Sequence, residues 1–215
     1  MPCEWALDPS ARKEITITAH PEKVSPATLL IVEMLRAKGT TVDVRQYWHC
    51  CEGVAPRFPS PEKQQQLRLS ARTPCGLRVN FIWKDVERPH LVVSSSTHIP
   101  IEGESNIVKY LGRALIPALY SSDFIKATQI DAMIDIAEKL WGNSRNQKAA
   151  MKEPNAVLGK SPFVVGDTMT LADAYLWSCL VGSGAAASGN VKKWKGRLEE
   201  DAAFANALSA YESLL

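Results

Sequence analysis

Alternation of apolar and polar residues over 14–19 is the first regular pattern in the chain, and it predicts a half-buried strand. Ser25–Pro26 then provides a helix start, since serine can cap a helix and proline is favoured at its first position. Apolar residues continue at helical spacing up to Gly39, where the helix is expected to end. A second alternation over 40–47 completes a strand–helix–strand unit of the length that a parallel crossover requires.

The next part of the chain changes character twice. Residues 51–74 are rich in proline and glutamine, and we predict a long loop there with one turn of helix at 61–69. Two apolar segments, 77–85 and 90–95, are typical of strands joined by a hairpin-length connection. The helix that follows from Ser105 carries its apolar side chains on one face. These patterns predict four strands, with helices, in this half of the chain.

No strand pattern follows residue 121, where apolar stripes at helical spacing predict only helices. The most apolar of these segments is 171–180, which we expect to be buried on most of its sides. The chain is therefore expected to consist of a leader at 1–13, a mixed α/β half at 14–117 and an all-helical half at 118–215. Each half is small for independent stability, so the two are expected to pack together.

The composition narrows the possible functions. Of the 215 residues, 46% are hydrophobic and 22% are charged, which is typical of a globular protein and excludes a disordered chain. A formal net charge of +2 argues against a protein that coats nucleic acid, and no apolar run is long enough to span a bilayer. The first residues are too polar and too acidic for a secretory signal. We therefore expect a cytoplasmic protein, with the nucleus as a second location.

The five cysteines have no regular spacing, which predicts reduced thiols rather than a disulfide framework. Cys50 and Cys51 follow His49, but adjacent cysteines lack the two-residue separation with which both sulfurs reach one zinc ion. No second cluster of ligands completes a set of four donors. Neither a metal nor another cofactor is therefore predicted.

Three motifs resemble the glutathione-transferase fold. Ile99–Pro100 precedes a strand-to-helix junction at which that family has a cis proline, and Glu104 with Ser105 opens the next helix, where the family binds the γ-glutamyl end of glutathione. Free N–H groups at a helix N-terminus attract such a carboxylate. Thr170 and Asp173 match the family's buried capping box. The resemblance implies a thioredoxin-like N-terminal half with a mixed four-stranded sheet, followed by a helical-bundle C-terminal half.

Five segments resemble, in the same order, the scaffold family of the multi-aminoacyl-tRNA synthetase complex: 81–84, 100–107, 131–137, 158–162 and 171–178. The resemblance extends from about residue 14 to the C-terminus and implies a non-catalytic adaptor that supports protein biosynthesis. The partners that it implies are the transferase-like domain of glutamyl-prolyl-tRNA synthetase and aspartyl-tRNA synthetase. That family also binds lysyl-tRNA synthetase through an N-terminal coiled-coil extension, which this chain is expected to lack.

An active glutathione transferase needs a hydroxyl just after the first strand, because a donor aimed at the sulfur lowers the thiol pKa. Ser25 is the available hydroxyl, but its place before a proline favours an N-cap, and His20 is more typical of a solvated turn. Pro100, Glu104 and Ser105 are therefore interpreted as the remains of a glutathione site, and no enzyme is predicted. Two alternatives stay open: a glutathione-dependent transferase that uses Ser25, and an assembly domain of the elongation-factor type.

The resemblance implies pairing through the helix after the proline and the start of the next helix. The residues expected at this interface are Ser105, Asn106, Lys109, Tyr110, Arg113 and Asp131. Complementary charges on such helix faces give specific pairing, although the same residues also suit a plain solvated face. The basic residues at 192–197 are followed at once by acidic ones at 199–201, so direct contact with nucleic acid is not expected.

Overall fold

The computed structural model describes residues 13–20, 26–49, 76–93, 99–141 and 144–214. The strands are β1 (Lys13–Ala19), β2 (Val42–Trp48), β3 (Leu77–Trp83), β4 (His90–Val92) and β5 (Ile101–Glu102). The helices are α1 (Ala27–Ala37), α2 (Glu104–Leu115), α3 (Phe124–Glu138), α4 (Ser144–Ala150), α5 (Lys152–Val157), α6 (Leu171–Ser183), α7 (Gly189–Glu199) and α8 (Ala202–Leu214). Single 3-10 turns lie at Pro117–Leu119 and Lys139–Trp141. The predicted leader up to residue 12 and the predicted loop at 51–74 lie outside the described residues.

The strands form one mixed sheet in the order β2–β3–β1–β4–β5. β3 pairs in parallel with β1 and β2, as the predicted crossover requires, whereas β4 pairs antiparallel with β1. The prediction of a four-stranded sheet is wrong by one strand, because β5 pairs antiparallel with β4. β5 is two residues long, too short to show an alternation of apolar and polar residues.

The side chains of β3 show how the sheet meets the helices. Leu77, Val79, Phe81 and Trp83 are all buried, and the last two rings stack with their centroids 5.4 Å apart. Because successive side chains of a strand point to opposite faces, these four lie on one face of the sheet. The sheet therefore contributes one apolar face to the core.

Helices α1 and α6 join the two halves into one core. Every residue of α6 from Leu171 to Leu180 is buried, which is the position expected for a helix that is apolar all round. α1 contacts α6 and α8 as well as α2. Gly112 of α2 allows a close approach to α6, because a Cβ at this position would lie 2.5 Å from Leu171 Cδ2. Across the described ranges, no helix combines the length and apolar character needed to cross a bilayer.

Candidate functional site

The Ile99–Pro100 turn lies on the surface of the protein. No cis peptide bond occurs among the described residues, so this bond is trans and the expectation of a cis proline is wrong. Ile99 is 76% exposed, and Pro100 is exposed as well. Because both side chains are open to solvent, packing does little to offset the roughly 0.5–1 kcal/mol by which an X–Pro bond prefers the trans form.

Ser105 lies in the first turn of α2 but points inward. The residue is 6% exposed, and its Oγ donates a hydrogen bond to Glu138 Oε2 at 3.0 Å. Glu138 is the last residue of α3. The hydroxyl therefore ties the start of α2 to the end of α3 instead of presenting its proton to a ligand.

The negative charge of Glu104 affects the pKa of two buried side chains of α6. Burial, with Glu104 as the next cause, raises the pKa of the Cys179 thiol well above its ordinary value. Burial also raises the pKa of Tyr175, and the neighbouring Cys179 and Glu104 add to the effect. Both side chains are 0% exposed. A buried thiol that stays protonated is not an activated nucleophile.

The other catalytic candidates are only partly within the described ranges. Ser25, Cys50 and Cys51 lie outside them. His20 Nε2 is 3.7 Å from Asp85 Oδ1, and 13% of the histidine side chain is exposed. In the part of the chain that the structure describes, no group of three or more His, Cys, Asp or Glu side chains could hold a metal ion.

A charged network connects α2 and α3, and we call it the pairing surface: Lys109, Arg113, Tyr120, Asp131 and Asp135. Lys109 Nζ donates to Asp135 Oδ1 at 2.9 Å and lies 3.9 Å from Asp131 Oδ1. Arg113 donates to the Tyr120 hydroxyl and, at 3.3 Å, to Asp131 Oδ2. Tyr120 in turn donates to Asp131 Oδ2 at 2.9 Å. The two cations thus lie on α2 and the two carboxylates on α3.

The charged side chains of the pairing surface are ion-paired with one another but still open to a partner, and the buried Asp131 Oδ1 accepts no hydrogen bond. The side chains of Arg113 and Asp131 are 54% and 32% exposed. The Arg113 guanidinium carbon lies 4.3 Å from the centroid of the Tyr120 ring, within the range of a cation–π contact. Burial raises the pKa of Tyr120, so the hydroxyl keeps the proton that it donates. Such pre-ordered charges can add a second set of ion pairs to a complementary partner without first being immobilised.

The remaining residues predicted at the interface differ in their placement. Asn106 is exposed, and its Nδ2 donates to the Glu102 carbonyl at 2.9 Å. Tyr110 is half-buried. Ser105, as described above, points inward. The structure thus brings Lys109, Arg113 and Asp131 together at one surface and leaves Ser105 behind it.

Sequence reasoning missed two residues of the pairing surface and one exposed residue on the same face of α3. Asp135 follows Asp131 by four residues, a spacing that places both on one helix face and could have revealed it. Phe124 precedes Asp131 by seven residues on the same face and is 88% exposed. Tyr120 has no such signal, because its position depends on the 3-10 turn between α2 and α3.

Asp173 is a buried polar residue of the helical half and is 0% exposed. Its Oδ2 accepts hydrogen bonds from the Thr170 main-chain N–H at 2.9 Å and from the Thr170 hydroxyl at 3.0 Å. Its Oδ1 accepts from the Val164 N–H at 3.0 Å and from Trp194 Nε1 at 3.1 Å. Burial nevertheless raises the pKa of Asp173, against the effect of these four bonds. Val164 and Trp194 lie 9 and 21 residues away, so the local motif could not identify them.

Relatives are found over almost the whole chain. It is 34% identical over 208 residues to a bovine (Bos taurus) protein called aminoacyl tRNA synthase complex-interacting multifunctional protein 2. The predicted resemblance is confirmed. The match covers 94% of this chain and 63% of the bovine protein, so the chain spans less than two thirds of that relative. A shorter match, 30% identical over 109 residues, covers 46% of this chain and 7% of the mouse (Mus musculus) bifunctional glutamate/proline–tRNA ligase.

A family model and solved structures agree on the fold. Residues 10–102 match a family model described as a thioredoxin-like domain. A chain from two binary sub-complexes of the yeast aminoacyl-tRNA synthetase complex superposes with a TM-score of 0.60 at 15% identity, covering 94% of both chains. A theta class glutathione S-transferase from Xanthomonas axonopodis pv. citri, with glutathione bound, gives 0.54 at 15% identity, covering 92% of this chain and 97% of its own. The chain therefore has the glutathione-transferase-like fold, as predicted.

Proposed function

We propose that the chain is a non-catalytic scaffold that helps to assemble a multi-aminoacyl-tRNA synthetase complex. The similarity to the bovine complex-interacting protein, which extends over 94% of the chain, is the observation that carries this proposal. A scaffold acts through surfaces rather than through a reactive pocket, and the described residues fit that requirement in two ways.

The first support comes from the residues of the former glutathione site. The Ser105 hydroxyl donates its proton to Glu138, so this proton is not available to a ligand. Glu102 and Glu104 add negative charge at the place where a glutathione carboxylate would bind, and like charges this close repel. Pro100 is exposed in a trans bond. A chain with these features is better suited to structure than to glutathione chemistry.

The second support comes from the pairing surface. Its cations lie on α2 and its carboxylates on α3, and a related domain with complementary charges can pair with this arrangement. We propose the transferase-like domain of glutamyl-prolyl-tRNA synthetase as the first partner, in line with the similarity to the mouse ligase. Aspartyl-tRNA synthetase is proposed as a second partner. Lysyl-tRNA synthetase is proposed only for a chain that carries an N-terminal extension.

Calorimetric titration of the full chain with the transferase-like domain of glutamyl-prolyl-tRNA synthetase tests the proposal. We expect a 1:1 complex with a dissociation constant on the order of micromolar or lower. Arg113→Glu is expected to weaken binding, whereas Lys192→Glu, at an exposed position of α7, serves as the matched control and is expected to bind normally. Failure to form any complex at micromolar concentration contradicts the choice of partner. Normal binding by Arg113→Glu contradicts the choice of surface.

The glutathione-dependent alternative has its own test. Turnover of a generic electrophile with glutathione, lost in Ser25→Ala, would overturn the scaffold proposal. An assembly domain of the elongation-factor type has the same fold and the same kind of role, so only the partner separates the two. Parallel titrations with an elongation-factor transferase-like domain and with the synthetase domain make that distinction.

A further inference from the structure

The two edges of the described sheet differ in how they are protected. β5 forms one edge, is two residues long and directly follows an exposed proline, Pro100. Short edge strands and prolines both discourage pairing with another chain. β2 forms the other edge, is seven residues long, contains no proline and pairs with β3 at seven successive positions without a bulge. A regular edge strand of this length is a template for a further strand.

The outer side of β2 presents main-chain groups for pairing. The His49 N–H donates to the Trp83 carbonyl at 2.9 Å, and main-chain groups point to alternate sides along a strand, so the odd-numbered residues of this segment bond to β3. The N–H and carbonyl groups of Val44 and Gln46 therefore point away from β3. Within the part of the chain that the structure describes, no strand lies beside them.

Arg36 of α1 covers one end of this edge. Its Nη2 donates to the Val42 carbonyl at 3.1 Å, which agrees with the outward direction of the even-numbered residues. A carbonyl oxygen has two lone pairs and can accept a second bond. Among the described residues, no donor reaches the carbonyls of Val44 and Gln46. The open part of the edge is therefore centred on these two residues.

The side chains before and after Val44 carry opposite charges. Asp43 and Arg45 are two residues apart, so both lie on one face of the sheet. Asp43 Oδ2 accepts from Arg45 Nε and from Arg78 Nε, each at 3.1 Å, whereas its Oδ1 accepts no hydrogen bond from a described residue. The Arg45 side chain is 48% exposed, and that of Asp43 is 10% exposed. An arginine has five N–H donors, so Arg45 can bond to a second carboxylate without leaving the first.

We propose that β2 pairs antiparallel with β2 of a second copy of this chain, with the two Val44 residues opposite each other. Because the main-chain groups of Val44 point outward in both copies, they exchange two hydrogen bonds across the two-fold axis. Each Asp43 then lies opposite Arg45 of the other copy, and opposite charges at directly opposed positions stabilise a pair of strands. The two five-stranded sheets become one continuous sheet.

The charge pattern selects both this register and a second copy as the occupant. Even-numbered residues must face each other to form the main-chain bonds, so the neighbouring registers are shifted by two residues. One of these registers sets the two Arg45 side chains opposite each other and the other does the same for Asp43, and like charges at opposed positions are destabilising. An extended segment of another protein offers this match only if it has the same alternation of charge. β2 shares no residue with the pairing surface, so the inference does not rest on the synthetase partners proposed above.

Sedimentation velocity of the full chain at rising concentration tests the inference. We expect a monomer–dimer equilibrium with a dissociation constant on the order of 10–100 µM, because a single pair of strands is a small interface. Arg45→Glu sets acidic side chains opposite each other and is expected to weaken the dimer by roughly tenfold, whereas the control Arg45→Lys keeps the charge and is expected to dimerise normally. A chain that stays monomeric up to about 1 mM, or equal dimerisation of the two variants, overturns the inference.

Val44→Pro tests the main-chain bonds of the proposed dimer. Proline lacks the outward N–H but leaves the bonds to β3 in place, because those come from odd-numbered residues, and an edge strand tolerates proline in this orientation. We expect the dimer to be lost in Val44→Pro and kept in Val44→Thr, which retains the N–H and a branched side chain. Circular dichroism checks that both variants are folded. Wild-type dimerisation by folded Val44→Pro contradicts the choice of edge.

Cysteine cross-linking tests the register without a proline. The Cα atoms of opposed residues in a hydrogen-bonded pair lie about 5.5 Å apart, within the range of a disulfide. Val44→Cys is therefore expected to join the two copies on mild oxidation, with the 44–44 peptide identified by mass spectrometry. The matched control is Tyr47→Cys, at an exposed position of the same strand, because these positions in the two copies would lie about 20 Å apart. Joining through position 47 in preference to position 44 refutes the proposed pairing.

Discussion

Replacement of Asp173 by asparagine tests the best-defined polar cluster in the core. Asparagine keeps one acceptor oxygen and replaces the other by an NH2 group. In the better orientation its oxygen faces Val164 and Trp194, and the Thr170 hydroxyl turns to accept from the new NH2 group. The main-chain N–H of Thr170, now 2.9 Å from a carboxylate oxygen, is then left without an acceptor.

The expected loss in free energy of unfolding follows from these changes in hydrogen bonding. An unpaired buried N–H costs about 1–3 kcal/mol. The bonds from Val164 and Trp194 lose the charge of their acceptor, and charge-assisted bonds are roughly twice as strong as neutral ones. We therefore expect Asp173→Asn to lower the free energy of unfolding by about 2–4 kcal/mol, which lowers the melting temperature of a chain of this size by roughly 5–15 °C.

Urea unfolding followed by circular dichroism measures this loss. The matched control is Asp201→Asn, because Asp201 is exposed and its Oδ1 accepts from the Ala203 N–H at 2.8 Å at the start of α8. Asparagine caps a helix about as well as aspartate, so the control is expected to change stability by under about 0.5 kcal/mol. If Asp173→Asn costs no more than the control, the four hydrogen bonds do not stabilise the fold as argued.

The pH dependence gives a second test of the same side chain. Burial raises the pKa of Asp173 in the folded protein above its ordinary value, so the folded state binds this proton more tightly than the unfolded state. The stability contributed by Asp173 therefore rises as the pH falls through the folded pKa toward the ordinary pKa of 3.8, and it is constant at neutral pH. The stability gap between wild type and Asp173→Asn is expected to widen in acid. If the gap narrows instead, the four hydrogen-bond donors lower the pKa of Asp173 more than burial raises it.

Two further changes probe the contacts that α2 makes with α3 and with α6. Arg113→Glu should lower the free energy of unfolding by under about 1 kcal/mol, because the ion pair is partly exposed, and the addition of Asp131→Arg should restore it in a double-mutant cycle measured in urea. A double variant no more stable than either single one contradicts the pairing. Gly112→Ala should cost about 1–3 kcal/mol, since its Cβ would lie 2.5 Å from a methyl group of the fully buried Leu171. Gly196→Ala has open space in α7 and should instead stabilise by up to about 1 kcal/mol, so equal effects of the two refute the packing argument.

The parts of the fold that could be predicted are those with a local signal. The alternation over 14–19 and the helical spacing up to Gly39 identified β1 and α1, because strand and helix periods are visible within ten residues. β5 was missed since two residues have no period. The trans bond before Pro100 was missed because the cis expectation rested on resemblance, while the isomer is set by the packing around the bond.

The candidate surface likewise contains residues that a local sequence pattern predicts and residues that it does not. Asp131 and Asp135 share a helix face by spacing alone, whereas Tyr120 reaches Asp131 only because a 3-10 turn reverses the chain between α2 and α3.

Ser105 belongs to a motif that resembles the glutathione-binding motif of glutathione transferases, but its hydroxyl has a different role in this chain. A serine hydroxyl has one proton to donate, and here it goes to Glu138 at 3.0 Å in a buried setting. A bound carboxylate would have to take that proton from Glu138, which would leave the Glu138 carboxylate without this donor, and it would add a negative charge beside Glu104, where like charges repel. The same hydrogen bond holds the first turn of α2 against the last turn of α3, the two helices that carry the pairing surface. The bond that disfavours an anion at the start of α2 is thus the one that fixes the helices on which association with other proteins is proposed to depend.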